Sequence, residues 1–179
     1  MDKTTDLWRV PVAVEDIPET GLHLELEAPE AVRAALAPAA GLRALPVLKA
    51  SFDLARRGKG VHVGGRVEAT VGQTCVVTLE PIDKRVVENV DMLFSPDAAP
   101  AADGEPEARH VAGEEEPPEP LFGGAVDLGA IAIEFLMLGI DPYPRKAGAE
   151  FTAPAPDEEG AHPFAALAAL KKKPAGEGA

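Results

Sequence analysis

The sequence predicts an α+β fold. It should be a curved antiparallel β-sheet or small partly open barrel, with one buried helix after an acidic disordered loop and a short C-terminal helix. Three observations carry this expectation. Apolar and polar residues alternate in successive runs between Leu22 and Phe94, the period of half-buried strands. Residues 96–120 lose that pattern and turn to Pro, Ala, Gly and acid. From Asp127 to Ile140 the apolar residues recur at helical spacing.

Taken in order, Leu7 to Val14 reads as a first strand, with Pro11 placing it at an edge. Leu22, Leu24 and Leu26 alternate with His23, Glu25 and Glu27 as a second. Pro29 sits where a first helical residue would, and a short helix follows through Val32, Ala35 and Leu36 until Pro38 ends it. Leu48, Ala50, Phe52 and Leu54 form one arm of a hairpin. Its turn is Arg57-Gly58-Lys59-Gly60, and its other arm puts Val61, Val63, Gly65, Val67, Ala69 and Val71 on one face. The Gly64-Gly65 pair signals a bulge or a close backbone approach. The strand pattern continues through Thr74–Leu79, turns near Glu80-Pro81 and resumes from Lys84 to Phe94.

Asp127 is a helix cap, and Leu128, Ile131, Phe135 and Leu138 define one face of a helix apolar enough to be largely buried. Gly139 and the run Asp141-Pro142-Tyr143-Pro144 end it. The expected organisation is a β-rich part over 1–95, the acidic insert over 96–120, and a helix-bearing segment over 121–144 that completes the domain. A flexible tail over 145–179 carries an amphipathic helix at 163–173.

Aromatic residues make up only 4% of the 179 residues, so the core must be built mainly from Val, Leu and Ile. The net charge is −13, distributed as −5 over 1–42, +4 over 43–86, −10 over 87–127 and −2 over 128–179. An acidic chain repels phosphate at long range, so RNA contact would have to use the basic segment, where Arg56, Arg57, Lys59 and Arg66 are the candidates. A solvated hairpin tip reads the same way. The single cysteine gives no sign of an oxidising compartment. The N-terminal residues lead into no apolar run, and no run approaches the roughly 18–20 residues of a membrane span. A cytoplasmic location, with no membrane partner, is expected.

Catalytic chemistry finds little footing. Cys75 lacks a second cysteine, and His23, His62, His110 and His162 are scattered, so neither a nucleophile–base pair nor a metal site is expected. Glu134 lies within the apolar helix without a second acid at local spacing, and reads as a solvent-facing or structurally paired residue. No phosphate-loop spacing occurs, and no cofactor or small-molecule substrate is implied. Phe164, Leu167 and Leu170, followed by Lys171, form a one-sided stripe suited either to the domain's own core or to a partner.

Three segments in order resemble the YceD family. Cys75-Val-Val-Thr78-Leu79-Glu80-Pro81 is similar to that family's Cys-x-x-Cys element and Leu-x-Pro turn, with Thr78 at the second cysteine. Val126-Asp127-Leu128 through Glu134 to Leu138, with the exit Ile140-Asp-Pro142-Tyr-Pro144, resembles its helix after an acidic insert. Pro163-Phe164-Ala-Ala-Leu167-Ala-Ala-Leu170-Lys171 resembles its closing motif. The resemblance runs from about Leu45 to the end. It implies a role in synthesis, processing or stability of large-subunit (23S) ribosomal RNA, and the lack of a catalytic constellation makes that role a non-enzymatic one. The implied partner is a ribosome-assembly or RNA-processing protein, with direct RNA contact as a further option. The competing reading is a general protein-interaction adaptor with no RNA role.

Overall fold

The alternating runs fold into long strands whose apolar faces all turn the same way. The computed structural model describes residues 4–98 and 117–151. The elements below all belong to one compact unit, residues 1–147. They are β1 (Pro11–Ala13), β2 (Leu22–Glu27), α1 (Glu30–Ala39), β3 (Ala44–Arg57), β4 (Gly60–Thr74), β5 (Pro81–Ser95), β6 (Glu119–Pro120), β7 (Ala125–Asp127) and α2 (Leu128–Gly139).

Five strands form an open sheet in the order β2-β3-β4-β5-β6, and β1 pairs with β7 in a second, two-stranded sheet. The fold is therefore α+β and not a closed barrel. The pairing is antiparallel except for β5–β6, which is parallel and joins Phe94 and Ser95 to Glu119 and Pro120. Period-2 geometry sends Leu48, Ala50, Phe52 and Leu54 of β3 and Val61, Val63, Val67, Ala69 and Val71 of β4 into one core with Val86 and Val90 of β5. Both helices cover this face: Leu36 and Ala37 of α1 and Leu128, Ile131, Ala132, Ile133 and Leu136 of α2 join the same cluster, with Trp8 and Ile17.

Several local expectations are corrected. The first strand is confined to Pro11–Ala13, flanked by 3-10 turns at Thr5–Leu7 and Val14–Asp16. Pro29 occupies the N-cap of α1, and Pro38 lies inside the helix. The terminator is Gly41, at φ +67°, where Leu42 N donates to Ala37 O (2.8 Å) in a left-handed cap. The β3–β4 register runs unbroken through Gly64 and Gly65, and its shift lies between Ala44 and Val47. Gly65 instead answers to close approach, since a Cβ there would stand 2.9 Å from Phe52 Cδ1. The expected strand over Thr74–Leu79 keeps only its first residue: β4 stops at Thr74, and Cys75–Leu79 form a turn.

Asp127 caps α2 as expected. Its Oδ1 accepts from Gly129 N and Ala130 N, both at 3.2 Å, and from Val10 N at 2.8 Å; Oδ2 accepts from Arg9 Nε at 3.1 Å. One carboxylate thus satisfies orphan donors of the helix and anchors the N-terminal segment to it. The helix is buried along most of its length, but Met137 and Leu138 are exposed. Residues 99–116 of the expected insert, and the expected helix at 163–173, lie outside the described residues.

Candidate functional site

The basic residues of the hairpin do not form one patch. Strand parity sends Arg56 to the core side of the sheet, where its guanidinium donates to Glu15 O, while Arg57 and Arg66 belong to the outer face. Arg66 is paired with Ser51 and Arg57 with Gly60, so about 20 Å of strand separates the two. Lys59 at the turn lies 3.8 Å from Asp97, and Arg66 Nε lies 3.1 Å from Glu68. Glu68 also accepts from Arg85, and that hydrogen bond, helped by the charges of Arg85 and Arg66, holds its carboxyl below the usual range.

The rest of the outer face repeats this neutralisation. His23 meets Asp53 at 2.7 Å, His62 meets Asp91 at 2.6 Å, and Lys49 meets Glu27 at 3.2 Å. By register the face carries the carboxylates of Glu25, Glu27, Asp53, Glu68, Asp83 and Asp91 against the cations Lys49, Arg57, Arg66 and Arg85. An acid-rich face does not attract a phosphate backbone. Strand parity, legible in the sequence, would have split the basic group in advance.

The family-motif residues converge elsewhere. After Thr74 the chain turns back on itself: Cys75 N donates to Glu80 O and Leu79 N to Cys75 O, each at 2.9 Å. Closing this turn puts Leu79 at φ 59°, the left-handed region that leucine rarely occupies, with its side chain 76% exposed. Pro81 then opens β5, where a missing N–H is tolerated.

The exit of α2 passes over this turn and is fastened to it. Val76 N donates to Pro144 O at 2.9 Å, Lys146 Nζ reaches Glu80 Oε2 at 2.8 Å, and Lys146 N donates to Cys75 Sγ at 3.3 Å. Gln73 Nε2 holds Asp141 O at 2.8 Å, and Lys84 holds the Asp141 carboxylate. The Lys84 bond and the Tyr143 N–H keep that carboxyl below its ordinary range. Glu80 raises the Lys146 ammonium in turn.

Cys75 is buried at the centre of this junction. The Thr78 hydroxyl, with backbone N–H groups of Lys146, Thr78 and Val77, lowers its thiol to about 6. The sulfur is fully buried and accepts from backbone donors of two segments. Thr78 keeps the turn's sulfur contact (Thr78 N to Sγ, 3.4 Å) in the place of a second cysteine. The described residues contain no group of three or more His, Cys, Asp or Glu able to hold a metal. Glu134 faces solvent on α2. Phe164, Leu167, Leu170 and Lys171 lie outside the described residues.

A folded thiol near 6, against an ordinary value of about 8.5, contributes stability that is complete above the unfolded value and lost as pH falls through 6. The Tm advantage of the wild type over Cys75→Ala should therefore widen from pH 6 to pH 8.5. Paired thermal melts across that range check it, and a pH-independent difference would contradict the thiolate.

A small sheet-and-helix domain with a fastened loop junction and no grouped catalytic residues among those described is the class of protein defined so far. The family model described as "Large ribosomal RNA subunit accumulation protein YceD" matches residues 63–171, spanning β4, β5 and α2. The chain belongs to the YceD family, whose description concerns accumulation of large-subunit ribosomal RNA. No curated protein and no solved structure matches the chain. No helix among the described residues is long and apolar enough to cross a membrane.

Proposed function

We propose that the chain is a non-enzymatic, cytoplasmic accessory factor. In this reading it supports synthesis, processing or stability of large-subunit ribosomal RNA through a protein partner. Membership of the YceD family over 63–171 carries the ribosomal part of this reading. The surface chemistry favours a protein partner. The outer sheet face sets its cations against a larger number of carboxylates, and the whole chain carries −13. Around the fastened junction three large apolar side chains, Val76, Leu79 and Tyr143, are exposed beside the charged Glu80, Arg145 and Lys146. Apolar and aromatic anchors suit the centre of a protein interface, whereas phosphate contacts call for cations and polar donors.

Depleting the protein and measuring mature large-subunit RNA against small-subunit RNA tests the reading. The ratio should fall, and subunit profiles should lose the large subunit. Unchanged RNA and unchanged profiles would overturn it. Partners captured with the full chain should survive RNase treatment and include ribosomal or RNA-processing proteins; their loss on RNase treatment would replace the protein partner with RNA itself.

A further inference from the structure

The central sheet is left unfinished on one side. β5 is hydrogen-bonded to β4 along its whole length, from Pro81 opposite Thr74 to Phe94 opposite Val61. On its other side only Phe94 and Ser95 meet a strand. Among the described residues, Ile82 to Leu93 make no backbone–backbone hydrogen bond outside the β4 ladder. A long row of unpaired N–H and C=O groups is a template for another strand. The opposite edge, β2, is only six residues long and carries Glu25 and Glu27, which disfavour self-pairing.

The side chains of β5 select a partner for this edge. Two copies related by a two-fold axis pair antiparallel, and their core faces must lie on the same side, so even-numbered residues oppose even-numbered ones. An axis at Lys84, Arg85 or Glu88 sets that residue against itself, and an axis at Val87 sets Asp83 against Asp91. Axes at Asn89 or beyond shorten the ladder against β6 and bring no opposite charges together. An axis at Val86 sets Lys84 opposite Glu88 twice, Ile82 opposite Val90, and Asp83 opposite Asn89, with no like charges facing.

A second observation falls at the same place. Gly139, the last residue of α2, lies against β5 at Val86 and Glu88, and a Cβ there would stand 2.9 Å from Glu88 Cγ. The turn carrying Gly139 also carries Met137 and Leu138, 40% and 71% exposed at the end of an otherwise buried helix.

We propose that β5 pairs with β5 of a second copy across a two-fold axis at Val86, joining the two open sheets and bringing the Leu138 turns of α2 together. Lys84 has three donors and can serve both Asp141 of its own chain and Glu88 of the other copy. The occupant is thus another molecule of this chain, selected by the alternation of Lys84, Val86 and Glu88.

Light scattering coupled to size exclusion, on the full chain at tens of micromolar, tests this. The wild type should run at twice the chain mass. Lys84→Glu and Glu88→Lys should each halve it, and the double variant, which restores opposite charges, should return it to the dimer. Leu138→Lys should also halve the mass with unchanged circular dichroism. Asp141→Asn, which removes the intrachain partner of Lys84, should remain dimeric. A monomeric wild type would overturn the proposal. So would a dimer in which the charge swap gives no rescue and Leu138→Lys has no effect. Ribosomal RNA levels do not enter this test, so its failure leaves the proposed function standing.

Discussion

Phe52→Ala should lower the unfolding free energy by about 3–5 kcal/mol, the range for a buried aromatic. Phe52 is fully buried in the middle of β3. It lies opposite Leu24 on β2 and Gly65 on β4. Its ring fills the space that Gly65, having no side chain, leaves over the sheet. Removing the ring would open a void with a glycine on one wall, which no neighbouring side chain there can collapse to fill. Urea unfolding should show a lower midpoint with an unchanged slope. A loss below about 1 kcal/mol would mean that the core repacks around this position.

Gly129→Ala tests whether the N-terminal segment is clamped to α2. In an ordinary helix interior, alanine in place of glycine stabilises by about 0.5–1 kcal/mol. Here the sign should reverse. A Cβ on Gly129 would stand 2.8 Å from the Trp8 carbonyl carbon and 3.2 Å from Val10 N, both backbone atoms that cannot rotate aside. The same segment is held by Leu128 N donating to Val10 O (3.0 Å) and by Asp127 accepting from Val10 N. The expected cost is about 1–3 kcal/mol, as for other overpacked sites. Trp8 is the only tryptophan and is buried, so its emission should shift to the red as the segment is pushed outward. A more stable variant with unchanged emission would contradict the clamp.

Local periodicity made most of the main sheet legible. Leu22–Glu27, the hairpin through Gly58-Lys59 and the run ending at Phe94 each face the core as their alternation requires. Asp127 and the apolar spacing that follows it were enough to place α2. What escaped local reading depends on distant partners or on rare backbone. Ala125–Asp127 is a strand because Pro11–Ala13 pairs with it, from more than a hundred residues away. Thr74–Leu79 keeps strand-like composition, but its turn needs a leucine at positive φ, which no propensity favours. β6 is two residues long and carries no pattern of its own.

At the candidate site, the Cys75, Leu79 and Pro81 turn was visible as a motif. Its fastening by Asp141, Pro144 and Lys146 was not, because those partners arrive from beyond α2. The basic residues stood out by composition, yet their acids lie on neighbouring strands and appear only once the register is known.

The short parallel contact at the end of β5 has a consequence for the chain between its two arms. Ser95 O accepts from Leu121 N at 3.0 Å, and Glu119 lies beside Phe94, so the polypeptide departs and returns at a single point on the sheet. The entropy of closing such a detour grows only with the logarithm of its length, about 0.6 kcal/mol per doubling. The ladder is therefore insulated from the size of what is threaded between Ser95 and Glu119. The domain owns a splice port, where an affinity tag or fluorescent reporter could be carried with the register of β4 and β5 undisturbed.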